Sequence, residues 1–246
     1  MSRPKAFTLV ELLVVLALLT LLIAILLPAL KAARRSAERV LCTANMKQIG
    51  QAFLYYAHDN QGWLPNVASY WAWMPTAGWT YNDWIHWQAG RDITRSALWP
   101  YLGSSKLLVC PAGIPDRAPE YLYPFSYSLN GHLPWYNLKR VVQPWHKAML
   151  VEEDSLTIND GEWQGGVAVP RNGNPTGLLS VRHDLKSEYG GLDVLSGKNV
   201  QEAMKLGRGH VICADGSFAV VRRWEIYSSY WTLPEVVGDP APPIPK

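Results

Sequence analysis

Charge is scarce in this chain. Charged residues make up 17% of its 246 positions, against roughly 25% in an ordinary soluble domain. Neither sign dominates: 23 basic and 20 acidic residues leave a net charge of +3. That argues against a nucleic-acid-binding protein, and no nucleic-acid partner is expected. Cysteine is rarer still. Cys42, Cys110 and Cys213 are the whole complement, too few for a disulfide-built scaffold. Phenylalanine is sparse, with 4 residues against 12 Trp. Motifs for chemistry are missing too. There is no G-x-S-x-G, P-loop or dinucleotide fingerprint. The six histidines (58, 86, 132, 146, 183 and 210) show no zinc spacing with Cys or with one another. No catalytic, cofactor-binding or metal-binding residue is therefore assigned, and an enzyme is not expected.

The apolar residues are concentrated. Residues 12–30 carry no charge, and Thr20 is their only polar side chain. At about 1.5 Å per residue this run is roughly 28 Å long as a helix, the thickness of a bilayer core. A secretory signal peptide explains Arg3 and Lys5 before the run. It does not explain the length, since signal cores run to about 15 residues at most. A plain membrane anchor does not explain Glu11. A carboxylate inside an apolar helix costs about 2.5–3.5 kcal/mol at the bilayer centre. Such a group calls for a cationic partner.

The stretch Lys5-Ala6-Phe7-Thr8-Leu9-Val10-Glu11 resembles the processing site of type IV pilins and type II secretion pseudopilins. The resemblance implies a leader, residues 1–6, removed by a prepilin peptidase between Ala6 and Phe7. Ala6 stands where the family usually has Gly. Phe7 then becomes the first mature residue and is N-methylated. Glu11 becomes the fifth, the place where the family's Glu neutralises an N-terminal amine during assembly. Pro28 falls where family members often carry a helix-loosening proline, and a proline in an apolar helix is expected to kink or locally melt it. The implied partners are other pilin-like subunits, the peptidase, an inner-membrane assembly platform, and lipid before assembly. The implied location is the inner membrane, with the leader cytoplasmic and the head outside, and then an extracytoplasmic fibre.

Beyond the span, residues 31–58 are rich in helix formers and free of proline. A stripe at Ala33, Ala37, Val40, Leu41, Ala44, Ile49, Ala52, Phe53 and Tyr56 has helical spacing, and Asn60-Gln61-Gly62 is a stop signal. One helix over 7–58 is expected, with 7–30 in the membrane and 31–60 amphipathic. Lys31, Arg34 and Arg35 mark the membrane exit, where they can meet lipid phosphates. Residues 61–246 read as one α+β head, punctuated by proline. Strand candidates are 106–110, 148–152, 166–169, 210–214 and 218–222. The last two form a hairpin about Asp215-Gly216. Helices are expected at 93–102 and 200–206. An antiparallel sheet laid on the end of the long helix gives the pilin-like architecture.

The head also resembles those of large pilin-like proteins that carry an Arg-His followed by an Asp-Gly hairpin, here Arg182-His183 and Asp215-Gly216. The 31 intervening residues imply an insertion. Leu108-Val109-Cys110-Pro111 and Tyr127-Ser128-Leu129-Asn130 fit the same head. Glu152-Glu153-Asp154, Asp193 and Asp215 offer the oxygens that calcium takes, with a solvated turn as the simpler reading. Cys110 and Cys213 either pair in an oxidising compartment or stay buried free thiols; Cys42 is left over on the helix. Trp63, Trp71, Trp73, Trp79, Trp84, Trp87 and Trp99, with Tyr70, Tyr81 and Tyr101, either fill the core or form a stacking surface. The core reading is favoured. The expected function is a structural subunit of a pilus-like or pseudopilus fibre. The alternative is a membrane-anchored module that uses its Trp-rich head to hold a glycan or a protein.

Overall fold

In a computed structural model of the chain, the structure describes residues 8–68, 82–87, 91–112, 123–154, 157–158, 160–164, 177–184, 202 and 205–237. A single helix, α1 (Leu9–Asp59), runs for 51 residues, about 77 Å at 1.5 Å per residue. It begins in a capping box. The Glu11 backbone N–H donates to Thr8 Oγ1 (3.2 Å), and the Thr8 backbone N–H donates to Glu11 Oε2 (2.9 Å). Two otherwise orphaned donors are thereby satisfied. The helix stays α-helical through Pro28. The local melting expected there does not occur, although the proline nitrogen gives no hydrogen bond.

The two halves of α1 have different surroundings. Every side chain from Leu9 to Ala37 is exposed, including Leu13, Leu22 and Leu30. Burial starts at Cys42 and recurs at Met46, Ile49, Phe53 and Tyr56, steps of four and three that keep one face inward. The expected stripe is corrected at its start. Ala33, Ala37, Val40 and Leu41 lie outside the packed seam, with Val40 64% exposed. Cys42 takes the inward position instead.

The seam rests on a five-stranded sheet of order β3-β1-β2-β4-β5. The strands are β1 (Tyr127–Asn130), β2 (Ala148–Glu152), β3 (Glu162–Trp163), β4 (Arg208–Cys213) and β5 (Phe218–Arg222). The sheet is mixed rather than antiparallel, because the short edge strand β3 runs parallel to β1. Leu129, Leu150 and Ile212 pack toward α1 with Met46, Ile49 and Phe53. Val151, Val211 and Cys213 pack on the other side with Val221, Ile226 and Trp231. Both faces of the central strands are therefore covered, which is why β2 is buried along its whole length.

Two glycines bring helix and sheet together. A Cβ on Gly50 would lie 2.6 Å from Ile212 Cγ2, so α1 tolerates a poor helix former at its closest approach to β4. Gly216 sits at φ +84° in the β4–β5 turn, and a Cβ there would meet Leu54 Cδ1 at 2.6 Å. The Asp-Gly turn thus docks on the helix. Gly216→Ala is expected to cost about 1–2 kcal/mol from the unfavourable backbone conformation, before any clash with Leu54. Chemical unfolding of the full chain checks this; a loss below ~0.5 kcal/mol would mean the turn relaxes freely.

Other expectations resolve as follows. Residues 106–110 are not a strand. Ser105–Leu108 is a 3₁₀ turn capped by Ser104, whose side chain competes for the local backbone. Residues 93–102 are not one helix either. A 3₁₀ turn, Ile93–Arg95, ends at extended Ser96, and α2 (Trp99–Leu102) follows. The segment 166–169 and most of 200–206 lie outside the described residues. A last short helix, α3 (Ser229–Thr232), covers the far face of the sheet.

Candidate functional site

The N-terminal site begins with Thr8. Ala6 and Phe7 lie outside the described residues. Glu11 closes the capping box and also accepts a hydrogen bond from Thr8 Oγ1 (2.8 Å). Its carboxylate is thus held at the very start of the apolar helix, four residues after Phe7 in the sequence. Pro28 lies well up the exposed stretch. This half of α1 is long and apolar enough to cross a membrane, and none of its span is buried within the chain.

The head gathers several ionisable groups around Glu152. β2 ends at Glu152, whose side chain is 1% exposed. Four segments converge on it: α1 supplies Cys42, the segment after the Ser105–Leu108 turn supplies Cys110, β4 supplies His210, and the turn after Val181 supplies Arg182 and His183. Glu152 Oε2 lies 3.4 Å from Cys42 Sγ, 3.4 Å from His183 Nε2 and 3.7 Å from His210 Nδ1. Arg182 Nε is 3.2 Å from Glu152 Oε1. Cys110 Sγ is 3.3 Å from His183 Nε2, and Cys42 Sγ is 3.1 Å from Tyr127 Oη. The two imidazoles stack, with centroids 4.8 Å apart and planes 10° apart.

Electrostatics follow from this packing. Burial works to raise Glu152, but the Arg182 guanidinium, with His183 and His210, holds its carboxyl down at about 2. Burial disfavours charge on His183, yet its contacts with Cys110 and Glu152 carry it up to about 9. Burial takes His210 down to about 4. The neighbouring thiol raises Cys42 and lowers Cys110.

Several expected site residues fall differently from the sequence reading. The acidic triplet is not a solvated turn: Glu152, Glu153 and Asp154 are all buried. Their carboxylates take separate partners. Glu153 accepts from Ser128 Oγ (2.7 Å) and Thr157 Oγ1 (3.2 Å), and Asp154 pairs with Arg223 (3.0 Å). Burial raises Glu153 well above the usual carboxylate range. Asp193 lies outside the described residues. Asp215 accepts from the Ser217 backbone N–H (2.9 Å) and shapes the turn.

Of the two readings left open for Cys110 and Cys213, a disulfide or buried free thiols, the structure has the second: all three cysteines are free and buried. Cys213 packs in the core on the far face of the sheet, where burial pushes its thiol up to about 12. The neighbour of Cys110 is Cys42, the thiol taken as left over. Spacing along the chain gave no sign of this pairing. The one usable signal was that Cys42 continues the buried seam of the helix.

Arg182-His183 lies at Glu152, while Asp215-Gly216 lies on α1 at Leu54. Among the described aromatics, Trp84 is fully buried and donates to Gly161 O (2.9 Å), and Trp87 donates to Ala68 O (2.8 Å). Trp63 is 48% exposed, and Trp99 and Tyr101 are partly buried. Trp71, Trp73, Trp79, Tyr70 and Tyr81 lie outside the described residues.

Comparison with known proteins bears on the N-terminal site. Residues 1–27 match the family model described as Prokaryotic N-terminal methylation motif. The chain is similar to the "Type IV wide pilus major component PilA4" of Thermus thermophilus, with 38% identity over 69 residues. That alignment covers 28% of this chain and 53% of the relative. The chain thus spans about half the length of the curated relative it matches. No solved structure matches it significantly. The chain thus matches an N-terminal methylation motif and is similar over 69 residues to a type IV pilus component, and it carries a long apolar helix with an α+β head packed on its end.

Proposed function

We propose that the chain is a structural subunit of a type IV pilus-like fibre. It is cut between Ala6 and Phe7 by a prepilin peptidase, N-methylated at Phe7, and assembled through α1 by an inner-membrane platform. The observation that carries this reading is the contrast along one helix. From Leu9 to Ala37 the side chains of α1 are exposed, while from Cys42 onward the helix is built into the head. An apolar surface of this length requires lipid or neighbouring subunits. Lipid would cover it before assembly, with the leader cytoplasmic and the head outside. Neighbouring helices would cover it afterwards.

The PilA4 relative is named as a pilus component, which favours a pilus over a secretion pseudopilus. The subunit's role is structural, and it is a substrate of the peptidase rather than a catalyst. An anchored binding module would need only a plain span. It gives no account of Glu11 or of the methylation motif.

Crosslinking tests the packing. A doubly substituted chain, Leu16→Cys with Ile25→Cys, treated in cells with a membrane-permeable bis-maleimide, is expected to give ladders of crosslinked subunits when peptidase and platform are present. Monomer alone under those conditions, with the chain amply expressed, would count against assembly through α1.

A further inference from the structure

The cluster at the end of β2 has the composition and the dimensions of a metal centre. Cys42 Sγ, Cys110 Sγ, a Glu152 oxygen and a His183 ring nitrogen all lie within 4.8 Å of one another. Three of the separations are 3.3, 3.4 and 3.4 Å. A tetrahedral zinc ion with bonds of about 2.0–2.3 Å has ligand–ligand edges of roughly 3.3–3.8 Å. Only small movements would close the set around an ion. Two thiolates and an imidazole are soft and borderline donors that select zinc over calcium or magnesium.

Charge supports the same reading. Two thiolates and one carboxylate carry three negative charges, and a divalent ion together with Arg182, 3.2 Å from Glu152 Oε1, carries three positive ones. Without an ion, the hydrogen bonding is incomplete for so buried a site. His210 Nδ1, 3.7 Å from Glu152 Oε2, makes no hydrogen bond, an arrangement that calls for an explanation. Access is available, since His183 also lines a surface groove with Glu38, Arg39, Ala112 and Asp184.

We propose that Cys42, Cys110, Glu152 and His183 form a tetrahedral zinc site that fastens the second half of α1 to the head. The four ligands come from four separate segments of the chain, so one ion would tie the helix to three parts of the head at once. Binding energy at such a site is folding energy. This role is independent of how the fibre assembles.

The test uses the full chain in detergent, reduced and stripped of metal, then titrated with cobalt(II). The expected result is saturation at one cobalt per chain. Thiolate-to-cobalt charge-transfer absorption and the intense visible bands of a tetrahedral ion should appear, and zinc should abolish both. Cys42→Ser and Cys110→Ser are expected to lose the charge-transfer band, and Cys213→Ser is expected to keep it. No thiolate band with the wild-type chain would overturn the proposal, and that result does not depend on any variant folding. A band unchanged in both Cys42→Ser and Cys110→Ser would also overturn it. So would a Cys42–Cys110 disulfide found by non-reducing peptide mass analysis in chain taken directly from cells.

Discussion

Glu11→Leu is expected to abolish fibre assembly while leaving the chain in the membrane at its normal level. Leucine removes a carboxylate whose presence in an apolar helix costs up to about 2.5–3.5 kcal/mol. Insertion should therefore be at least as favourable as before. In the proposed function, what is lost is the partner for the methylated amine of an incoming subunit. A buried ammonium without a counter-charge is strongly destabilising, by about 3–5 kcal/mol.

The capping box complicates a simple reading of that mutant. Glu11 also caps its own helix through Thr8, and a cap is worth about 1 kcal/mol. Glu11→Gln separates the two roles, because glutamine also serves in a capping box but carries no charge. Both variants are expected to yield no fibres in electron micrographs of sheared material. Normal fibres from Glu11→Gln would mean that Glu11 acts only as a cap. Normal fibres from Glu11→Leu would remove it from assembly altogether.

The second large effect is expected at Arg223. Its side chain is fully buried, donating from Nη2 to Asp154 Oδ2 (3.0 Å) and from Nε to Leu179 O (2.7 Å). Asp154 is equally buried. Removing the cation leaves a carboxylate deep in the head, so Arg223→Met should cost about 3–5 kcal/mol. Replacing both residues, as Arg223→Met with Asp154→Leu, should cost much less, since neither charge is then stranded.

Denaturant unfolding followed by tryptophan fluorescence reads both variants. All twelve Trp lie at or after residue 63, so the signal comes from the head and not from α1. A loss under 1 kcal/mol for Arg223→Met would show that the head relaxes around Asp154.

What could be read from the sequence depended on how local the determinant was. The helix from Leu9, the N-terminal methylation motif and the Asp-Gly hairpin were legible, because each rests on neighbours within a few residues. The buried seam was partly legible. Ile49, Phe53 and Tyr56 were placed correctly, but Val40 and Leu41 were drawn in as apolar residues near the right phase. Only the head decides where covering begins, and it begins at Cys42.

The polar centre was not legible. Cys42, Cys110, Glu152 and His183 are each separated by tens of residues, and no spacing rule joins them. Glu152, Glu153 and Asp154 looked like a loop because acidic residues are seldom buried unless paired. In the fold each finds partners supplied by remote segments: Arg182 and His183, Ser128, and Arg223.

Intact mass and N-terminal sequencing of the chain from membranes, with a prepilin peptidase present and absent, tests entry into the pilin pathway most directly. With the peptidase, the mature chain is expected to start at N-methylated Phe7; without it, the chain should retain residues 1–6. A chain starting at Met1 in both cases, or a cut beyond Leu30, would contradict the fibre-subunit role and leave α1 as an anchor or an export signal for the head.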